Sequence, residues 1–317
     1  MGITIPTVAL FFIVKYSISI LTPMVGPLHK ENRATVGIVI PTYNGEHLLP
    51  RLLGAINSFA WQVSVLVIDS SSTDGTVNIA QAAGAKVNVI KKSEFNHGST
   101  RDLGRMLINA DIVVMMTQDV IPAGPEMLDR LVSPILAGQA AVSYARQIPH
   151  DGAGFFESFP RFFNYPNKSE LRGFCDVKHY GAYTFYCSNS CAAWSNSALD
   201  EIGGFGSTLS LEDTVAVAKL LRKGYKVAYC ADAVVKHSHK LTMREEYRRH
   251  FDVGFIRRAQ RDLLMVGSGD EARGALYVSA MLKALLVRGP HLMPYAVLIA
   301  SAKWLGYRAG WYSASVQ

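Results

Sequence analysis

Cysteine is scarce in this chain. Four occur in 317 residues (Cys175, Cys187, Cys191 and Cys230), with no C-x-x-C pair among them. That excludes a disulfide-stapled secreted scaffold, argues against a structural zinc site, and reads as reduced thiols in a cytosolic protein. Charge is sparse too, 18% of residues against 49% apolar, which excludes intrinsic disorder as the main state and supplies a large core. No internal period of about 20–50 residues is present, so a solenoid or propeller is excluded. The sharpest absence is local. From Ala272 to Gln317 no residue is acidic, although Arg273, Lys283, Arg288, Lys303 and Arg308 are basic.

That acid-free tail, residues 263–317 with its lead-in, contains two apolar stretches, Gly274–Leu282 and Gly289–Ala302, both too short to cross a bilayer. Basic residues between apolar faces, with Trp304, Tyr307, Trp311 and Tyr312 at the end, predict amphipathic helices lying on an anionic membrane surface. The alternative is a pair of core helices capping the main domain. Just before the tail, Lys236, Lys240, Arg244, Arg248, Arg249, Arg257, Arg258 and Arg261 face only Glu245, Glu246 and Asp252, part of an overall excess of 32 basic over 25 acidic residues, a net charge of +7. No DNA- or RNA-binding motif accompanies this block, so lipid headgroups or a pyrophosphate are the expected anions and nucleic acid is not. At the other end, residues 1–34 form an apolar segment interrupted by Lys15. A spanning helix would hold that lysine near mid-membrane at roughly 2.5–3.5 kcal/mol, so a packed or membrane-associated helix is expected instead.

Between the ends, hydrophobic runs alternate with helical periodicity. Residues 36–40 read as a buried strand stopped by Pro41, and Leu48, Leu49, Leu52, Leu53 and Ile56 have helical spacing. Strands follow over 63–68, 86–90 and 111–116, separated by helices over 76–83 and 101–109. This order implies an α/β fold with a mostly parallel sheet, whose ligands bind at the carboxyl ends of the strands. The polar residues there are Thr42-Tyr43-Asn44, Asp69 and Gln118-Asp119. Asp69 could accept bonds from a base or ribose, and Asp119 could hold a divalent cation between phosphates. His97, Gly98 and Arg101 fall where a helix begins, a place for a diphosphate.

In order, "VGIVIPTYNG", "VLVIDSSSTDGT", "FNHGSTRDLG" and "MMTQD" resemble the nucleotide-sugar half of the family 2 glycosyltransferases. "YCSNSCAAWSNSALDEIGGF" and "LEDTVAVAKLLRKGYKVAYCADAVVKHSH" resemble their acceptor half. The FNHG-x-TR and TQD variants, with Ser188-Asn189 and His237-Ser238-His239, are most similar to bacterial rhamnosyltransferases of that family. The resemblance implies a GT-A type domain over residues 35–262, split into a nucleotide-sugar half (35–120) and an acceptor half (121–262).

It also implies roles. Pro41, Thr42, Tyr43 and Asn44 would line the base pocket, Asp69 would bind base or ribose, and His97, Gly98, Arg101 and Gln118 would lie by the donor. Asp119 would hold Mg²⁺ or Mn²⁺, with His237, or His239 as its alternate, completing the metal sphere. Asp213 would be the general base, with Glu212 orienting it or the acceptor, and Ser188, Asn189 and Trp194 would face the acceptor. The activity implied is inverting transfer, with L-rhamnose from dTDP-rhamnose as the expected donor chemistry. The expected acceptor is a lipid-linked or polysaccharide hydroxyl at the cytoplasmic face of the bacterial inner membrane, and a homo-oligomer is left open. One departure is that the DxD-type element is reduced to Thr117-Gln118-Asp119. A UDP-hexose donor and a catalytically silent scaffold are the alternatives. A sugar-phosphate nucleotidyltransferase is disfavoured because Pro41–Glu46 lacks a Gly-rich loop with Arg.

Overall fold

A computed structural model describes residues 34–208, 210–266 and 270–314, the side chains of 270 and 271 excepted. The apolar N-terminal segment expected over residues 1–34 lies outside the described residues but for its last member.

Among the described residues nine strands form one sheet: β1 (Val36–Thr42), β2 (Ser64–Asp69), β3 (Lys86–Val89), β4 (Ile112–Met116), β5 (Ile121–Pro122), β6 (Val142–Ile148), β7 (Glu170–Arg172), β8 (Cys191–Ser195) and β9 (Val227–Lys236). The helices are α1 (Leu49–Ile56), α2 (Thr76–Ala82), α3 (His97–Ile108), α4 (Met127–Leu136), α5 (Phe155–Asn164), α6 (Val177–Tyr180), α7 (Asn196–Glu201), α8 (Glu212–Arg222), α9 (Met243–Ala259), α10 (Arg261–Leu264), α11 (Asp270–Arg288) and α12 (Met293–Ser313).

Strand order along the sheet is β3-β2-β1-β4-β8-β6-β9-β5, with β7 also on β9. The four strands of the first half are mutually parallel, as the alternating pattern predicts. The sheet as a whole is mixed, because β8 enters antiparallel between β4 and β6, while β6 and β9 run parallel to each other. Two reversals cancel, so β6 and β9 point the same way as β1 and β4. The end at which β8 begins therefore lies on the edge where those strands finish.

Both sheet faces are covered. Ile38, Ile40, Val114 and Met116 pack under α1 and α4, while Val39, Val113 and Met115 lie in a second cluster with α8 and Trp194. Successive residues of a strand point to opposite faces, which is why "VGIVI" and "IVVMM" read as continuous apolar runs. In the C-terminal region, α12 lies along α9, and Met281, Leu285 and Ala296 pack with Phe155, Phe156 and Phe159 of α5.

Candidate active site

All the candidate chemistry gathers on the one edge defined above. β1 and β2 end in Thr42 and Asp69, β4 runs out to Asp119, β6 ends by Gln147 and β9 by His237, and Ser188-Asn189 precede β8.

On the donor side the polar residues are knitted to one another. Asp69 is buried and its carboxylate accepts from the backbone N–H of Ser72 (2.9 Å), the Ser72 hydroxyl (2.5 Å) and Thr42 Oγ1 (3.4 Å). Asn44, with φ of 46°, donates its N–H to Ser72 Oγ and accepts from Thr73 N–H. Gln118 clasps the backbone of Tyr43 from both sides, accepting from its N–H (3.0 Å) and donating to its carbonyl (3.2 Å). This middle residue of Thr-Gln-Asp thus fixes the loop after β1 to the end of β4. The Tyr43 ring is half exposed, with Lys92 Nζ 4.0 Å from its centroid and 2.8 Å from its hydroxyl. Nothing in the sequence singles out Lys92.

The helix start expected to cradle a diphosphate is arranged differently. Asn96 caps α3, its Oδ1 accepting from the N–H groups of Gly98 and Ser99 and also from Thr208 N–H. These donors are therefore already used. A Cβ on Gly98 would overlap the Gly206 carbonyl, so this glycine allows two backbone segments to touch. Arg101, expected beside phosphate, is buried. It donates to the His97 carbonyl (2.8 Å) and lies 3.3 Å from Glu212 Oε1. Its position makes it the counter-ion of Glu212.

Glu212 and Asp213 open α8, as the acidic pair before a helical periodicity suggested. Leu211 before them adopts the left-handed region, φ 57°, a strained state for a bulky residue. Asp213 accepts from Asn189 N–H (3.0 Å) and Thr214 N–H (2.6 Å), and Asn189 Nδ2 donates to Glu212 Oε1 (3.1 Å). Burial raises the Asp213 carboxyl and the neighbouring Glu212 charge adds to it, pushing it up to about 7. Burial would raise Glu212 as well, but Arg101 and the Asn189 amide hold it below the ordinary carboxylate value. One carboxylate is kept ionised and its neighbour is poised near neutrality.

Trp194, expected to contact an acceptor, is fully buried and donates its indole N–H to Asn189 Oδ1 (2.9 Å). It supports Asn189 from beneath and has no surface to offer a ligand. Ser188 and Asn189 remain beside the acid pair.

Asp119, His237 and His239 converge, with ligand atoms within 4.8 Å of one another. His237 Nε2 is 3.3 Å and His239 Nδ1 3.4 Å from the same Asp119 oxygen. Burial lowers both imidazoles, His239 to about 4, while Asp119 is held well below the carboxylate range because the adjacent histidines outweigh its burial. Buried His237 Nε2 has no hydrogen-bond partner. Two imidazoles and an ionised carboxylate directed at one point form a donor set that fits a divalent cation.

Sequence reasoning passed over Gln147, whose Oε1 lies 2.8 Å from His237 Nδ1 and accepts from Arg161 (2.6 Å), and whose Nε2 donates to Ser188 Oγ (2.9 Å). No local signal marked it, since β6 reads Val-Ser-Tyr-Ala-Arg-Gln-Ile, not an apolar run closed by one polar residue.

The match to known proteins agrees with this geometry. Residues 37–203 match the model of glycosyl transferase family 2. The chain is 38% identical over 283 residues to the O-antigen chain rhamnosyltransferase RfbN of Salmonella typhimurium, covering 87% of this chain and 89% of that one. It belongs to glycosyl transferase family 2. The O-antigen chain rhamnosyltransferase WbaN of Salmonella anatum is also 38% identical, over 86% of this chain and 88% of its own. Among solved structures, the mannosyltransferase PcManGT from Pyrobaculum calidifontis, in complex with GDP-Man and Mn²⁺, superposes with a TM-score of 0.58 at 18% identity, covering 89% of this chain and 86% of that one. TarS residues 1–349 from S. aureus gives 0.51 at 15% identity, over 88% and 90%. These likenesses establish the GT-A fold, and the family makes the chain a glycosyltransferase.

Proposed function

We propose that this glycosyltransferase moves L-rhamnose from dTDP-rhamnose to a hydroxyl of a lipid-linked glycan, with inversion, at the cytoplasmic face of a bacterial inner membrane. The observation that carries the mechanism is the Glu212–Asp213 pair, tied through Asn189, Ser188 and Gln147 to the Asp119–His237–His239 cluster on one sheet edge. The choice of rhamnose is supported by two relatives named as O-antigen chain rhamnosyltransferases, each 38% identical over most of the chain.

In this reading Asp213 takes the proton of the acceptor hydroxyl as the new glycosidic bond forms. Its raised proton affinity suits that task near neutral pH. Glu212, kept ionised by Arg101, holds Asn189 in place, and Asn189 in turn orients Asp213 through its N–H. Tyr43, Thr42, Asn44 and Asp69 shape the nucleotide pocket, with Gln118 fixing the Tyr43 backbone. Asp119, His237 and His239 would hold Mn²⁺ rather than Mg²⁺, because two imidazoles suit the softer ion. Such an ion supplies charge neutralisation at the departing diphosphate.

The test is a panel of dTDP-rhamnose, UDP-glucose, UDP-galactose and GDP-mannose, assayed for transfer and hydrolysis with Mn²⁺, Mg²⁺ or chelator. Turnover restricted to dTDP-rhamnose and lost with chelator is expected. Preference for a UDP-hexose would overturn the sugar assignment, and turnover unaffected by chelator would overturn the metal.

A further inference from the structure

The residue that joins the two halves of the site is Gln147, and its environment allows only one orientation. The side chain is 1% exposed and sits at the end of β6, beside the end of β9. Three groups surround its amide. Arg161 NH1, from α5, approaches Oε1 at 2.6 Å. His237 Nδ1 approaches the same oxygen at 2.8 Å, and Ser188 Oγ lies 2.9 Å from Nε2.

A guanidinium can only donate. Turning the amide over would set its NH₂ against Arg161, donor to donor, in a buried place where an unmade bond costs about 1–3 kcal/mol. Arg161 therefore fixes the carbonyl oxygen toward itself and toward His237. That oxygen can only accept, so the neutral His237 imidazole must carry its single proton on Nδ1, and Nε2 is left bare. The bare nitrogen is the buried atom without a partner, 3.3 Å from Asp119 Oδ2. At the other end the Gln147 NH₂ holds Ser188, whose neighbour Asn189 donates to Asp213 and Glu212.

We infer that Gln147 is a positioning residue. Its Arg161-locked amide selects the His237 tautomer that turns Nε2 into the cation cluster, and through Ser188 it holds that cluster in register with the acid pair. This rests on the metal reading above for its consequence, but the tautomer itself does not. Partners of this kind, behind a ligating histidine, typically change metal affinity 10–100-fold when removed.

Two measurements on the full-length protein test it separately. Imidazole ¹⁵N NMR of the metal-free protein, with His237 assigned from a His237→Asn variant, should show Nδ1–H and a bare Nε2. An Nε2–H tautomer in the wild type would overturn the inference whether or not metal binds. Mn²⁺ binding, measured directly without donor, should weaken about 10–100-fold in Gln147→Leu. Gln147→Glu keeps an acceptor for Arg161 and His237 but loses the donor to Ser188. It should bind Mn²⁺ about tenfold more tightly than Gln147→Leu, and lose kcat more than metal affinity. Both variants binding Mn²⁺ within twofold of a folded wild type would overturn the positioning role. A wild type with the expected tautomer and no Mn²⁺ binding would sink the metal reading and, with it, the role in the cluster, leaving the tautomer assignment standing.

Discussion

At the scale of single residues, Asp213 and Arg101 give the sharpest predictions. Asp213→Asn keeps the shape of the side chain and removes the proton acceptor, so kcat should fall about 10²–10⁴-fold while donor affinity, read by calorimetry, changes by no more than a few-fold. Because burial and Glu212 push Asp213 up to about 7, and a base acts only when deprotonated, kcat/KM should rise with pH through about 7 and level off above it. Glu212→Gln removes the neighbouring charge but retains an acceptor for Asn189. The rising limb should then move to lower pH, and a limb that stays put would show that Asp213 is not the titrating base. Arg101 separates two roles cleanly. As the buried counter-ion of Glu212, its replacement by Ala should cost about 3–5 kcal/mol of stability, because an uncompensated buried carboxylate is left behind. A residue that only touched phosphate would raise donor KM and leave the unfolding midpoint where it was.

At the scale of elements, the contact of α9 with α12 is set by close backbone approach. A Cβ on Gly310 would overlap the Phe251 carbonyl, and one on Gly306 the Tyr247 carbonyl. Ala at a helical glycine gains up to about 1 kcal/mol of intrinsic propensity, but overlap with the rigid carbonyl of a neighbouring helix costs about 1–3 kcal/mol. Gly310→Ala should therefore be destabilising. Gly274 in α11 has open space around its Cβ position, and Gly274→Ala should stabilise by about 0.5–1 kcal/mol. Opposite signs in urea unfolding are the expected result. The same sign at both sites would mean that α9 and α12 can separate at little cost.

At the scale of the whole molecule, the outer face of the C-terminal helices bears on the proposed membrane setting. No helix among the described residues is long and apolar enough to cross a bilayer. Yet Val287 is 86% exposed, Trp304 61% and Leu298 53%, and Leu286, Val297, Leu305 and Tyr312 are exposed with them. On α12 these positions recur at helical spacing, opposite the glycines that meet α9. The tail thus combines the two arrangements weighed from its sequence, one face packed on the domain and the other apolar and uncovered. Deleting residues 272–317 would uncover α9, so surface substitutions are the better probe. Val287→Glu with Leu298→Glu should reduce sedimentation with anionic vesicles and leave the unfolding midpoint unchanged, while wild-type binding should weaken with salt without disappearing. Equal vesicle binding by variant and wild type would remove this face from the membrane role.

The sequence by itself determined the parallel half of the sheet, since β1, β2 and β4 are buried on both faces and write themselves as unbroken apolar runs. It also determined that Thr42, Asp69 and Asp119 stand at strand ends, because each follows such a run, whereas His237 was marked only by the family resemblance. Only the tertiary structure decided the partners. Whether Arg101 meets a phosphate or Glu212, and whether Trp194 faces a ligand or the core, depends on how α3, α8 and β8 pack, and residues 24 to 111 positions apart leave no local pattern. Gln147 stayed hidden for the same reason: its role comes from β6 and β9 lying side by side, with β8 reversed so that Ser188 comes to the same edge, and strand pairing of this kind is fixed by long-range packing that no window of sequence contains.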